Sequence, residues 1–322
     1  MIEHFSFAHY RFTFIPKDTI RMPAHNKGNV LRGAFGSSLR RLVCSMDKGA
    51  DCNSCVLKEK CAYALIFSPV GIIDAKRLRN SPRGYVLKPP LPQDTEYTSS
   101  SPLKFDMLLV GDRVKYLSYV VVPFVELGKV GIGLNRGKFR LGDIESLKGG
   151  VTTTIYDSST NTVKDKKVHI TGEELMKTAD AFNKDSITLR FLTPTRIKYN
   201  PTNEKGKSRV VRTPEFHHII RRLRDRIDAL SRAYCGRALD IDFGGIAERA
   251  MNIRTRSVGL KWLEIKRKSR TQRTTHDQSG FVGSITFEGD LKEFLPLLIL
   301  GEYVHVGDDA VFGNGWYRIE DR

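Results

Sequence analysis

The strongest constraint on this chain is an order of elements that can be read through it twice. In the first half, Phe5, Phe7, Tyr10 and Phe12 fall close to every second position, the period of a strand. After Pro23, residues Val30, Leu31, Phe35, Leu39, Leu42 and Val43 recur at three- and four-residue spacing, which predicts an amphipathic helix with Arg32, Arg40 and Arg41 elsewhere on its circumference. Gly33 and Gly36 sit inside that helix. Each costs about 1 kcal/mol against alanine, so a close neighbour is the expected reason for them. "PLKFDMLLVGD" then reads as a strand, "VKYLSYVVVPFVELGKV" as an apolar helix interrupted around Pro123, and "GIGLNRGKFRLGDIESL" as a further strand. The second half restarts the plan with "SITLRFLTPTRIK", a strand ended by Pro194, and a helix whose Ile219, Ile220, Leu223, Ile227, Leu230 and Tyr234 form one stripe. Strand, helix, hairpin, helix, strand is the order of a ferredoxin-like βαββαβ unit. The expected fold is therefore α+β, with two such domains in tandem. The first covers 1–180, with a Cys-rich insertion at 44–61 and a polar hairpin at about 151–170 turning at Ser158–Asn161; the second covers 181–322.

Charge narrows the partner. The 322 residues carry 53 Lys and Arg against 36 Asp and Glu, a net +17. Such an excess suits a polyanion, because neutralising phosphates releases counterions and steers association. No run of eighteen apolar residues is present, so no segment is expected to span a membrane. The amino terminus alternates like a strand and lacks the basic head and apolar centre of a signal peptide, which makes the cytoplasm the expected location. Five cysteines in a large chain of this kind do not suggest a disulfide framework.

Four of those cysteines, Cys44, Cys52, Cys55 and Cys61, lie within eighteen residues, "CSMDKGADCNSCVLKEKC". Four thiolates can close a tetrahedral site, so structural zinc is the expected occupant, with an iron–sulfur cluster and unligated thiols as alternatives. One true Cys-x-x-Cys knuckle is present. With no His in the segment, a catalytic zinc with an open water position is not expected. Cys235 stands alone and reads as a small buried apolar residue.

The densest basic stretch is "KWLEIKRKSRTQRTTH". Lys261, Lys266, Arg267, Lys268, Arg270 and Arg273 face one Glu264, with Ser269, Thr271, Gln272 and His276 among them. A solvated charged face is the plain reading of such a run; a phosphate track is the functional one. Among the histidines, His25 precedes the first helix, whose amino-terminal end favours an anion. His305 lies two residues before Gly307, and Glu302–Val306 reads as a strand entering a loop with Gly313 and Gly315. Most histidines are hydrogen-bonded surface or core residues rather than catalysts. No His-Glu-x-x-His or Gly-x-x-x-x-Gly-Lys pattern is present.

Three stretches carry a resemblance: "KGNVLRGAFGSSLRRLVC" with "CNSCVLKEKCAYALIF", "LRFLTPTRIK" leading to "FHHIIRRLRDRIDAL", and "GFVGSITFEGDLKEFLPLLILGEYVHVGDDAVFGNGWYRI". Together they resemble the CRISPR-associated endoribonuclease that processes precursor CRISPR RNA, a member of the RAMP superfamily. The final Phe-Gly-x-Gly is similar to the glycine-rich loop of that superfamily. The resemblance implies two RNA-recognition-motif-like domains, a repeat RNA as substrate, and other effector subunits as further partners. It also implies cleavage without metal, in which a 2′-hydroxyl attacks the adjacent phosphate and leaves a cyclic phosphate and a 5′-hydroxyl.

Carried over by position, Lys27, Gly28, Arg32, Gly33, Gly307, Gly313 and Gly315 match the motifs. His25 and His305, with Lys27, become the candidate catalytic residues. Arg32, Lys266, Arg267, Lys268, Arg270, Gln272, Arg273 and the three loop glycines become candidate RNA contacts, the glycines because a loop without side chains lets backbone N–H groups approach phosphate. The chain departs from the pattern at Asp308-Asp309, where a cation is usual, and two carboxylates would repel a phosphate there. A non-catalytic RNA-binding subunit of an effector complex is the alternative reading. A DNA-binding regulator fits less well, since no helix-turn-helix is evident.

Overall fold

The structure, a computed structural model, describes residues 1–46, 51–69, 82–91, 94–164, 168–202, 204, 206–268 and 275–320, with the side chains of 267, 268 and 275 excepted. The described residues form two compact units. The amino-terminal unit comprises Phe5–Ile170 and Ala229–Arg237; the carboxy-terminal unit comprises Met1–His4, Thr171–Asp228 and Ala238–Arg322. The change of unit therefore falls ten residues before the 180/181 boundary read from sequence, and two short segments are exchanged. The physical reason lies in the helix Gly172–Asp180, closed by a capping box between Thr171 and Glu174 and burying Leu175 and Ala179. It packs within the carboxy-terminal unit rather than closing the first.

In the amino-terminal unit, β1 (Ser6–Pro16), α1 (Lys27–Val43), β2 (Tyr85–Lys88), β3 (Leu103–Val110), α2 (Ser118–Val130) and β4 (Phe139–Lys148) follow the βαββαβ order. The strands lie antiparallel in the spatial order β2-β3-β1-β4, extended beyond β4 by Val151–Asp157 and Thr162–Val163. That last hairpin pairs Tyr156 with Val163, as the polar turn at 158–161 predicts. Alternation in β1 sends Phe12 and Phe14 to the helix-covered face. Phe12 stacks on Phe105 at 5.2 Å, Phe14 on Phe139 at 4.0 Å, and Phe35 of α1 on Phe124 of α2 at 5.2 Å. The α2 helix is not interrupted at Pro123; it continues to Val130, and the Ser38 hydroxyl of α1 donates to the Pro123 carbonyl at 2.8 Å. Pro123 lies past the first turn and removes the one intrahelical bond its position would donate, yet the helix continues.

The carboxy-terminal unit repeats the order with β5 (Ser186–Thr195), α3 (Phe216–Leu230), β6 (Arg254–Leu263), β7 (Gly280–Glu288), α4 (Leu295–Val304) and β8 (Tyr317–Ile319). Its sheet runs β6-β7-β5-β8, the same arrangement as the first. β5 is not ended by Pro194: it reaches Thr195 across a register shift against β7, the kind of irregularity in which a strand tolerates proline. Phe216 packs edge-on to Phe287 and Phe294, each at 5.1 Å, under the helix-covered face. Both units are thus ferredoxin-like. No helix among the described residues is long and apolar enough to cross a membrane.

Candidate nucleic-acid interface

The first candidate region is the start of α1. Asn26 sits at φ 65° and ψ 22° as the residue before the helix, its side chain makes no capping bond, and the first turn holds no acidic residue. No acidic residue of its own first turn offsets the positive end of this 17-residue helix. His25, one residue earlier, is exposed. Lys27 is 4% exposed. Burial holds its ammonium below the ordinary lysine value, and the charge of Asp94 opposes that shift. An open imidazole beside a desolvated ammonium and a helix amino terminus can exchange a proton and stabilise negative charge.

Two other residues of this motif, Arg32 and Gly36, pack against Phe67. Arg32 lies with its guanidinium 4.4 Å from the Phe67 ring centre. A Cβ on Gly36 would come within 2.2 Å of the same ring, whereas Gly33 has nothing within 4 Å. A close neighbour thus explains Gly36 and not Gly33. Arg32, expected to meet RNA, is half-buried against the aromatic ring that follows the Cys-rich segment.

Cys44, Cys52, Cys55 and Cys61 line one small cavity of about 20 Å³ together with Arg40 and Tyr63. Burial raises the Cys52 thiol, Arg40 opposes the shift, and the three other thiols add to it. Yet among the described residues no group of three or more His, Cys, Asp or Glu side chains is placed to hold a metal ion. The donor set fits zinc in kind, in a shared cavity that is not closed.

The glycine-rich loop differs from its reading in the sequence. Glu302–Val304 are not a strand; they are the last turn of α4, and His305 is its C-cap. The apolar run Leu297–Leu300 is buried on all sides and carries the helix forward. Gly301 lets the helix approach Tyr317, whose hydroxyl would lie 2.1 Å from a Cβ there and donates to the Leu298 carbonyl at 2.6 Å. His305 is 0% exposed, takes φ 66° and ψ 168°, and lies parallel to Trp316 at 6.0 Å. A non-glycine residue at that φ is held against its own preference by its surroundings.

What approaches the glycines is the chain itself. A Cβ on Gly307 would be 2.4 Å from the Arg196 carbonyl oxygen, and one on Gly315 would be 1.8 Å from that of Val306. The N–H of Val306 donates to Gly315 at 3.0 Å, that of Asp308 to Arg196 at 2.9 Å, that of Gly315 to Pro194 at 3.0 Å, and that of Gly313 to Ala310 at 3.0 Å. The N–H groups of Gly313 and Gly315, expected to meet phosphate, are thus already used, on Ala310 within the loop and on Pro194 of β5. The Asp308 carboxylate is also engaged, at 2.9 Å from the Lys198 ammonium.

Arg196 ties this loop to the basic stretch. Its carbonyl accepts from Asp308, while its guanidinium donates to Asp277 at 2.7 Å and to the Ser279 carbonyl at 3.4 Å. Asp277 belongs to a hairpin pairing Lys266–Lys268 with Thr275–Asp277, on which Lys266 is exposed. Arg270, Gln272 and Arg273 lie outside the described residues, and of Arg267 and Lys268 only the backbone is described. Beside them Ile197–Tyr199 pairs with Arg209–Val211, and Arg212 stacks 4.8 Å over Trp262. Sequence alone does not single out Arg196, Lys198 and Arg212. The alternation of Arg196 and Lys198 after Pro194 is the available signal.

Comparison with known proteins now bears on this arrangement. Residues 189–317 match the family model described as CRISPR-associated endoribonuclease Cas6, and residues 5–168 match the N-terminal domain model AF_1859_N. The carboxy-terminal part of the chain is a Cas6-family domain. A relative from Archaeoglobus fulgidus, itself described as an uncharacterized protein, is 28% identical over 295 residues, or 91% of each chain. Among solved structures, Thermus thermophilus Cas6 aligns over 98% of each chain with a TM-score of 0.55 and 16% identity. A Cas6 product complex covers 97% of this chain and 98% of its own with a TM-score of 0.57 and 16% identity. A partial Cas6-RT-Cas1–Cas2 complex covers 98% of this chain and 46% of its own, with a TM-score of 0.59 and 13% identity. At such identities these structures speak for the shared fold, two ferredoxin-like domains in tandem.

Proposed function

We propose that this protein, with its Cas6-family domain, is an endoribonuclease that cleaves precursor CRISPR RNA within its repeats, without metal, and that His25 exchanges the proton. The observation that carries the reading is the exposed His25 at a helix amino terminus that lacks a side-chain cap and an acidic first turn. His25 takes the proton of the 2′-hydroxyl upstream of the scissile phosphate. The 2′-oxygen then bonds to phosphorus as the bond from phosphorus to the 5′-oxygen breaks, and the leaving oxygen gains a proton. The products are a 2′,3′-cyclic phosphate and a 5′-hydroxyl. Lys27 and the dipole of α1 favour the extra negative charge of the transition state. The burial of His305 supports His25 over it as the proton-transfer group.

The basic hairpin of 266–277 and the neighbouring Lys198 and Arg212 are assigned to the RNA backbone, a sequence-independent role. The test is incubation with the repeat RNA in excess EDTA, beside the same RNA carrying a 2′-deoxy substitution at the cut. Cleavage of the first alone supports the reading. Cleavage of both, or a requirement for added metal, contradicts it. Tight binding without cleavage would instead favour the non-catalytic RNA-holding subunit, the reading to which the buried His305 leaves room.

We also infer a structural zinc held by Cys44, Cys52, Cys55 and Cys61, supported by their shared cavity. Closing four thiolates on an ion requires these cysteines to come closer together than they stand. Elemental analysis of purified protein should give about one zinc per chain, lost in the Cys52→Ser/Cys55→Ser variant together with thermal stability. Iron or no metal would overturn the assignment.

A further inference from the structure

A second cavity lies wholly within the amino-terminal unit and plays no part in the chemistry above. Its volume is about 470 Å³, within the range of sites that hold small organic ligands. Its apolar lining comes from Tyr10, Leu117, Ile155 and Val163. Tyr10 is 3% exposed and burial pushes its phenol up to about 12, so it presents a neutral ring and hydroxyl. The same lining also holds Lys115, Lys164 and His169, with Asp112 and Ser118.

Among the described residues, the charges around this mouth do not cancel. The Asp112 carboxylate accepts two bonds from the Arg113 guanidinium, at 2.8 and 2.7 Å, and lies 3.7 Å from the Lys115 ammonium. Lys164 is 3.4 Å from Asp157. Two carboxylates therefore face Arg113, Lys115 and Lys164, with the His169 imidazole in addition. The backbone N–H of Lys164 donates to the Ile155 carbonyl at 2.7 Å, so this lysine is fixed at the edge of the apolar wall.

A wholly apolar occupant would desolvate the Lys115–Asp112 and Lys164–Asp157 ion pairs without adding a polar partner, and a small inorganic anion would leave the apolar side chains wet. The lining calls for a flat apolar body joined to one anionic group. We propose that this cavity binds a nucleoside monophosphate, with its base against Tyr10, Leu117, Ile155 and Val163 and its phosphate at Lys115 and Lys164. A free nucleotide and the phosphorylated terminal nucleotide of an RNA share this chemistry. The site is distinct from the start of α1 and does not depend on the cleavage reading.

The test is calorimetric titration of the full chain with AMP, GMP, CMP and UMP, beside adenosine and inorganic phosphate. At least one monophosphate should bind, with adenosine and phosphate each at least about tenfold weaker. Lys164→Glu should weaken binding by at least about tenfold, and Val163→Trp, which fills the cavity, should abolish it. Both positions are exposed enough for the variants to fold; should Val163→Trp fail to fold, Lys164→Glu with Lys115→Glu decides. Competition by a short RNA ending in a phosphate would identify an RNA terminus as an occupant, and retained nucleotide binding beside that RNA would identify a free nucleotide. Absence of binding by all four monophosphates at millimolar concentration would overturn the proposal. So would equal binding of inorganic phosphate, or affinity unchanged in the variants.

Discussion

The turn before α1 and the glycine-rich loop after α4 each hold a histidine beside small residues, yet they do opposite things with them. His25 is open to solvent at a helix end with no acidic residue in its first turn, whereas His305 is 0% exposed against Trp316. In the loop, Gly307 and Gly315 admit the carbonyls of Arg196 and Val306. In α1, Gly36 admits the ring of Phe67. A dense motif can thus be dense because the chain packs tightly on itself, while the residue able to do chemistry stands at its margin. Both regions resemble a phosphate site in sequence; only the first keeps an open proton carrier.

The largest effect expected from this contrast is on stability at the loop. Gly315→Ala must place a Cβ where the Val306 carbonyl oxygen stands 1.8 Å away, at a φ of 73°. A loss of roughly 2–3 kcal/mol follows, read as a lower denaturant midpoint. An unchanged midpoint would mean that the loop is not packed as described.

Next comes a pH effect in the carboxy-terminal unit. His217 and His218 lie against Tyr199 at ring-centre distances of 5.3 and 4.5 Å. Burial lowers both imidazoles, that of His218 from 6.5 to about 4 with the neighbouring His217 adding to the shift. The unfolded chain therefore binds more protons than the folded one between these values. Stability is full above pH 6.5 and declines as pH falls through about 4. Melting temperature should drop between pH 7 and pH 5, and His218→Gln should flatten that slope; a flat wild-type profile would contradict the burial.

A smaller effect of opposite sign tests α1. A Cβ added at Gly33 would meet nothing within 4 Å, and the backbone there is ordinary helix, so Gly33→Ala should stabilise by about 1 kcal/mol. Destabilisation would point to a contact at this position that the fold does not show. The smallest effect concerns Asp308. Replacing it by Asn releases Lys198 from a half-exposed ion pair and removes one negative charge near the basic hairpin. RNA affinity should rise a few-fold at low salt and less at high salt, as measured by filter binding.

The tandem βαββαβ plan was legible because alternation in β1 and the stripe in α3 are set by burial of one face, which sequence records directly. The Cys44–Cys61 segment was legible as a cluster, while its cavity depends on Tyr63 and Arg40 brought in by folding. The end of α4 reads as a strand because Glu302–Val306 has strand-like composition. Only the tertiary contact of Gly301 with Tyr317 reveals that the helix continues. The role of Arg196 was not legible at all: it rests on one carbonyl and one guanidinium reaching two loops distant in sequence. The extra helix Gly172–Asp180 was not read from the sequence, although its Thr171–Glu174 capping box is a local signal, and nothing local says with which unit it packs.

The central claim is that His25, and not His305, carries the proton in RNA cleavage. Single-turnover cleavage of the repeat RNA in EDTA, by His25→Ala and His305→Ala at matched folded fractions, tests it most directly. The account predicts that His25→Ala keeps its melting temperature and loses at least about a hundredfold in rate. It predicts that His305→Ala loses stability while its folded fraction still cleaves. The reverse pattern, with full activity in His25→Ala and none in well-folded His305→Ala, would contradict it.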